Sequence, residues 1–179
     1  LLLFPMSIGA ASVLVEKASP DALPAAIALY RATICYTSPT AYRAMAGQIG
    51  EHDISSLRKC VSAGEALPAA TRQLWRDTTG IEIIDGIGST EMLHIYLSNA
   101  VGDVKYGTTG KPVPGYQACI LDFDGKVLGP GEIGRLAVKG PTGCRYLADE
   151  RQTAYVQNGW NVTGDAYVMD MDGYFHYQA

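Results

Sequence analysis

Glycine is distributed very unevenly along this chain of 179 residues. Four of the twenty glycines lie in residues 1–79, and the other sixteen lie in residues 80–179. Glycine marks turns and weakens the interior of helices, so the two parts require different architectures. We expect an α/β first part at residues 1–102, and a second part at residues 103–179 built from short strands and tight turns.

The first part alternates strand patterns with helix patterns. The expected elements are a helix near residues 23–30, strands at residues 33–37, 59–62 and 81–84, and helices that begin at Ser38-Pro39 and Pro68. A serine followed by proline suits the N-cap and first turn of a helix. The helix after Pro68 carries Ala70, Leu74 and Trp75 on adjoining turns and is stopped by Gly80. This alternation predicts parallel βαβ units.

The second part has the pattern of an antiparallel sheet. Its β-rich runs lie at residues 116–123, 134–139, 166–170 and 174–177. Turn signals such as Asp124-Gly125 and Asp172-Gly173 separate these runs. The fold class predicted for the chain is therefore α/β, with a parallel sheet portion followed by a small antiparallel, barrel-like subdomain.

Charge and cysteine content exclude several classes of function. Fourteen Lys and Arg against eighteen Asp and Glu give a formal charge of −4, without the basic cluster that nucleic-acid binding requires. The apolar start at residues 1–4 is stopped by Pro5, too early for a signal peptide, and the apolar residues of the chain are too interrupted by polar ones for a membrane span. No metal-ligand spacing links the cysteines, so we expect reduced thiols in the cytoplasm. These cysteines are Cys35, Cys60, Cys119 and Cys144.

Three loops follow predicted strands, where open parallel sheets bind their ligands. They cover residues 37–39, 63–65 and 85–91. In the third loop, two glycines allow close approach to a ligand, Ser89 and Thr90 offer hydroxyls, and Glu91 offers an oxygen. Such a set of groups favours binding of a phosphate together with Mg²⁺. The same residues also fit a turn that caps a helix, with Glu91 in its first turn, and spacing alone does not decide.

Other candidate residues are individually ambiguous. Ala63-Gly64-Glu65 also fits a plain connection from strand to helix. Asp165, after Thr163-Gly164 and before a predicted strand, could accept hydrogen bonds from a ribose diol or simply form a turn. His94 fits a core or pocket-lining histidine better than a general base. Residues 108–111 do not form a P-loop, since Pro112 follows the lysine.

Taken in order, these segments resemble the adenylate-forming superfamily of acyl-CoA synthetases, luciferases and peptide-synthetase adenylation domains. The matching segments are residues 62–67, residues 88–91, residues 107–115, and Gly159-Trp160 with Thr163-Gly164-Asp165. Residues 85–94 are particularly similar to benzoate-CoA and 2-aminobenzoate-CoA ligases. Four motifs in the right order are more specific than any one of them.

This resemblance implies a two-step ligase with ATP, Mg²⁺ and coenzyme A. An aromatic carboxylate would first form an acyl-AMP, and the thiol of coenzyme A would then displace AMP. The implied nucleotide contacts are Ala63, Gly64, Glu65, Ile87, Gly88, Ser89, Thr90 at the α-phosphate, and Asp165 at the ribose. Glu91 would bind Mg²⁺ and act with Thr90 in catalysis, while His94 and Tyr36 would contact the aromatic acid.

The chain departs from the resemblance in two ways. Ile87 stands where many relatives have a tyrosine that stacks on adenine. The family's phosphate loop would precede Leu1, and its lysine-bearing C-terminal domain would follow Ala179. We therefore expect the middle of a longer enzyme, inactive by itself. Two alternatives stay open: another adenylate-forming enzyme, such as a fatty acyl or cinnamate-type CoA ligase or a carrier-protein adenylation domain, and a nucleotide-binding module without catalysis.

Overall fold

The computed structural model describes residues 3–179, so Leu1 and Leu2 of the apolar start lie outside the described residues. Its helices are α1 (Leu3–Ser7), α2 (Ala22–Tyr30), α3 (Pro39–Met45), α4 (Ala69–Thr79) and α5 (Arg151–Tyr155), with a 3₁₀ turn at Ile49–Glu51. Its strands are β1 (Ile34–Thr37), β2 (Lys59–Ser62), β3 (Ile83–Gly88), β4 (Ile95–Ser98), β5 (Lys111–Pro112), β6 (Gln117–Leu121), β7 (Ile133–Lys139), β8 (Val156–Gln157), β9 (Trp160–Met169) and β10 (Phe175–Tyr177). Within residues 3–179, every helix is too short or too polar to cross a membrane.

The chain forms two compact units. One unit consists of Leu1–Cys60 and Ala70–Ile83, and the other consists of Val61–Ala69 and Ile84–Ala179. Strands β2 and β3 therefore contribute residues to both units. The division of the chain at residues 102 and 103 stays a prediction about domains.

The first unit confirms the alternation of strands and helices. Ser38 is the N-cap of α3, where its side chain accepts a hydrogen bond from the backbone N–H of Ala41 at 3.3 Å. The fully buried Tyr42 donates to the carbonyl of Cys35 at 2.8 Å, and its ring meets that of Trp75 edge-on at 4.8 Å. The core of this unit is thus built on aromatic side chains of α3 and α4.

Helix α4 buries a different face from the one its apolar residues suggest. Trp75 is buried, whereas Ala70 and Leu74 are exposed. The buried face includes Arg72, whose guanidinium donates to the Glu82 carboxylate at 3.1 Å and to the Ile83 carbonyl at 3.2 Å. Burial of this charge is tolerated because the guanidinium donates to a carboxylate and to a carbonyl oxygen.

The first sheet has the strand order β1-β2-β3-β4-β5 and confirms the mixed α/β class with a parallel portion. β3 and β4 form an antiparallel pair with a register irregularity after Ile87, and β4 pairs with β5. Strand β4 is absent from the sequence-based expectation. The third strand was expected at residues 81–84, but it begins at Ile83 and continues to Gly88.

The second sheet is antiparallel, with the order β10-β9-β7-β6 and with β8 paired to β9. It curls into a half-barrel, which confirms the barrel-like architecture predicted for the second part. Its buried side chains pack with those of β4 into one core of the second unit. The members of this core are Met92, Tyr96, Leu97, Tyr116, Ile120, Leu136, Val138, Tyr167 and Phe175.

The cysteines are all free thiols, and three of the four are buried. Cys144 is only half-buried. Burial raises the pKa of Cys60 to about 12 and that of Cys119 to about 11. Both thiols are therefore protonated and unreactive at neutral pH.

Candidate functional site

The glycine-rich segment at residues 85–91 is a strand end and a turn, rather than the open loop expected from the sequence. Gly86 and Gly88 lie in β3 and face the backbone of β4. A Cβ on Gly88 would lie 2.5 Å from the carbonyl oxygen of His94, and one on Gly86 would lie 2.7 Å from that of Leu97. The close approach of β4 is thus the first reason for glycine at both positions.

The turn after β3 presents the polar side chains of the segment. The Ser89 hydroxyl accepts from the backbone N–H of Met92 at 3.2 Å, and the N–H of Leu93 donates to the Thr90 carbonyl at 3.2 Å. Leu93 has a left-handed backbone with φ of 69°, and the chain then enters β4 directly. The alternative in which this segment caps a helix with Glu91 in its first turn is therefore wrong.

Glu91 is a half-buried carboxylate with a specific partner. Its Oε1 accepts a hydrogen bond from the Tyr146 hydroxyl at 2.9 Å. Hydrogen bonds from its own backbone N–H and from Tyr146 hold the pKa of the Glu91 carboxyl below its ordinary value. The group is ionised at neutral pH, as a ligand of Mg²⁺ must be. Sequence reasoning missed Tyr146, which no local pattern connects with Glu91.

Asp165 lies inside β9, not before a strand as the sequence suggested. Residues 163–165 stand opposite the single residue Leu136, where the register between β7 and β9 shifts. This bulge is possible because Gly164 adopts φ of 89°, and the Asp165 N–H donates to the Thr163 hydroxyl at 3.2 Å. The residues of this bulge are not paired with β7, and Asp165 is half-buried there.

Both carboxylates affect the pKa of one buried phenol, Tyr96. Tyr96 is 1% exposed, and its hydroxyl has no hydrogen-bond partner among residues 3–179. Burial raises the pKa of Tyr96, and the charges of Asp165 and Glu91 raise it further. Met92, which follows Glu91, and Tyr167, two residues beyond Asp165 in β9, belong to the same core of the second unit. The two carboxylates are therefore carried by segments that pack on one core, although they are far apart in sequence.

His94 is a satisfied histidine in a short polar network. Its Nδ1 lies 2.5 Å from the carbonyl oxygen of Ile95, and its Nε2 lies 2.8 Å from the Tyr116 hydroxyl. That hydroxyl also contacts Thr142, whose own hydroxyl donates to the Met92 carbonyl at 2.7 Å. The arrangement agrees with the expected core or pocket-lining histidine, and contact with an aromatic acid stays a prediction.

The remaining predicted residues are accessible to different degrees. Gly64 is exposed with φ of 91° and open space where a Cβ would lie, beside the half-buried Ala63 and the exposed Glu65. Tyr36 is 49% exposed on β1 of the first unit. In the loop at residues 37–39, Ser38 is engaged in capping α3. Ligand contacts at residues 63–65 and at Tyr36 stay predictions.

A cation would be held here with few protein ligands. Within residues 3–179, no group of three or more His, Cys, Asp and Glu side chains converges on a possible metal position. Glu91 nevertheless fits Mg²⁺, because it is ionised and partly accessible. Mg²⁺ is commonly bound by one or two carboxylates together with substrate phosphates.

Comparison with protein families identifies residues 1–146 as matching the model described as "AMP-binding enzyme". The chain is 41% identical over 182 residues to the benzoate–CoA ligase of Thauera aromatica. This alignment covers 98% of the chain and 34% of that enzyme, so the chain spans about a third of the length of the curated relatives it matches.

Solved structures show the same similarity. An anthranilate CoA ligase, AuaEII, in complex with anthranoyl-AMP superposes with a TM-score of 0.93 at 42% identity, covering 98% of this chain and 35% of that one. A benzoate CoA ligase from Burkholderia xenovorans LB400 gives 0.89 at 39% identity, covering 98% of this chain and 37% of that one. Both the sequence and the backbone are thus similar to those of aryl-CoA ligases.

Proposed function

Because this chain belongs to the family of AMP-binding enzymes, we propose that the whole protein is an ATP-dependent aryl-CoA ligase acting on a benzoate-type or 2-aminobenzoate-type acid. The relatives named benzoate–CoA ligase and anthranilate–CoA ligase support this substrate class. The buried thiols suit a reducing environment, and we place the protein in the cytoplasm.

The observation that carries the proposal is that the segments bearing Glu91 and Asp165 pack on one core, through Met92 and Tyr167. A nucleoside triphosphate requires one group for its metal-bearing phosphates and another for its sugar. An ionised Glu91 suits the first role, and Asp165 on the β9 bulge suits the second. Because both groups lie on segments of one core, we expect a single nucleotide to engage them together.

The residues around these two carboxylates would complete the nucleotide site. The half-buried Ala63 and the exposed Gly64 and Glu65 would border the adenine, and the aliphatic Ile87 would support it. Beyond Gly88 and Ser89, the exposed hydroxyl of Thr90 would donate to the α-phosphate. The aromatic acid would contact His94. Each of these assignments follows from the matching family motif and from the accessibility of the residue.

The reaction has two steps. A carboxylate oxygen of the acid forms a bond to the α-phosphorus of ATP while the bond to pyrophosphate breaks. The thiolate of coenzyme A then bonds to the acyl carbon, and AMP leaves. This chain would fix the sugar through Asp165 and the α-phosphate through Thr90 before reaction, and such fixed donors stabilise charge as it develops.

Mg²⁺ is the cofactor that this site would hold. Glu91 would bind it together with phosphate oxygens, because the carboxylate is ionised and partly accessible. Bound there, the cation would neutralise phosphate charge and so ease attack by an anionic carboxylate. Glu91 itself supplies a fixed negative charge at the turn before β4.

The test is thioester formation by the whole protein with ATP, coenzyme A and a panel of acids. We expect benzoate and 2-aminobenzoate to give the highest kcat/KM, with cinnamate and longer fatty acids far lower. The Asp165→Ala variant serves as a control and should raise the KM for ATP while leaving the acid preference unchanged. Preference for a fatty acid would overturn the substrate class, and absence of any acyl-AMP would overturn the ligase function.

A further inference from the structure

Tyr146 is a phenol whose position the proposed nucleotide site does not explain. Its hydroxyl donates to Oε1 of Glu91 at 2.9 Å, across a long stretch of sequence. Both side chains are half-buried. The tyrosine hydroxyl is the donor of this bond and the carboxylate oxygen is the acceptor.

Tyr146 is itself held from three sides. Its backbone N–H donates to the side-chain oxygen of Gln152 at 2.8 Å. The guanidinium of Arg151 lies 4.9 Å from the centre of the ring, and the ring of Tyr155 meets it edge-on at 5.7 Å. All of these partners come from α5. The phenol is therefore fixed by its surroundings, independently of Glu91.

Arg151 does not compete for the Glu91 carboxylate as an ion-pair partner. Its Nε and Nη2 donate to both carboxylate oxygens of Asp149, at 2.5–3.0 Å. These bonds hold the pKa of Asp149 at about 2, so the pair persists at all physiological pH values. The hydrogen bond that Glu91 receives in this network is from a neutral donor, and its negative charge is retained.

We propose that Tyr146 is a positioning residue that holds the Glu91 carboxylate in one orientation for the cation. The inference rests on the proposed function of Glu91 and names the residue that acts through it. A glutamate at a turn has several rotamers of similar energy, and a hydrogen bond from a fixed donor selects one of them. Groups that orient metal ligands in this way change metal affinity by roughly 10–100-fold when they are removed.

The experiment compares Glu91→Gln, Tyr146→Phe and the double variant in the whole protein. Binding of Mn²⁺ is measured by electron paramagnetic resonance in the presence of α,β-methylene-ATP, an analogue that cannot transfer its AMP group to the acid. We expect Tyr146→Phe to weaken Mn²⁺ binding by roughly tenfold. The double variant should be no weaker than Glu91→Gln alone, because the phenol acts only through that carboxylate.

The control is Tyr30→Phe, which makes the same chemical change on an exposed face of α2 and should leave Mn²⁺ binding unchanged. Equal losses from Tyr146→Phe with and without Glu91 would show a merely structural effect and overturn the inference. Unchanged binding in Tyr146→Phe beside a clear loss in Glu91→Gln would also overturn it. Unchanged binding in Glu91→Gln would instead overturn the metal role in the proposed function.

Discussion

The contact between Gly88 and β4 gives a stability prediction that can be worked out from distances. In Gly88→Ala, the new Cβ would lie 2.5 Å from the carbonyl oxygen of His94, 2.7 Å from its carbonyl carbon and 2.8 Å from the Ile95 nitrogen. Ordinary van der Waals contact begins at 3.4 Å, so the two strands must separate by about 0.9 Å at this pair. All three atoms belong to backbone, so no side-chain rotation can relieve the clash.

We expect Gly88→Ala to lower the free energy of unfolding by about 1–3 kcal/mol, the usual cost of overpacking. For a chain of this size, the melting temperature should fall by roughly 2–4 °C for each kcal/mol. Differential scanning calorimetry measures the change. Gly50→Ala is the matched control, because Gly50 has no atom within 4 Å of the new Cβ and no left-handed backbone. Equal melting temperatures for the two variants would refute the close-approach argument.

Three further predictions concern ion pairs, titration and thiols. Glu82→Gln removes the carboxylate partner of the buried Arg72 and should cost about 1–3 kcal/mol in urea unfolding; an unchanged midpoint would contradict the pairing. Tyr146→Phe should destabilise the protein above pH 4.5, the ordinary pKa of a glutamate. The difference in stability from wild type should vanish as the pH falls, because the carboxylate that the phenol contacts has a lowered pKa. A constant difference down to acid would exclude a charge-dependent bond. Cys144 should react with iodoacetamide at pH 8 well before Cys60, as peptide mass spectrometry will report, and equal rates would contradict the burial of Cys60.

Local signals in the sequence were sufficient for the elements that depend on neighbouring residues. The Ser38-Pro39 pair correctly predicts the start of α3, and the β-rich run at residues 59–62 corresponds to β2 without any change of bounds. A helix cap and a short buried strand are each determined by a few neighbouring residues. The sequence pattern did not predict strand β4, because its apolar residues follow directly on the polar turn and do not alternate with polar ones.

The candidate site depends on contacts between residues far apart in sequence, which no local pattern predicts. The family motifs pointed to Glu91 and Asp165. The bulge that contains Asp165, however, forms only where the register between β7 and β9 shifts. The Tyr146 contact joins the turn after β3 to the segment before α5 and appears only when both are folded. Arg72 is buried for a similar reason, since its acceptors lie beyond the end of its own helix.

We propose that Asp165 binds the sugar of a nucleotide whose phosphates lie at Glu91. The most direct measurement is the affinity of the whole protein for ATP and for 2′,3′-dideoxy-ATP, in wild type and in Asp165→Ala, by isothermal titration calorimetry. We expect wild type to prefer ATP by roughly 10–100-fold, the value of hydrogen bonds to a charged group, and the variant to bind both nucleotides equally. An undiminished preference for ATP in the variant would contradict the account.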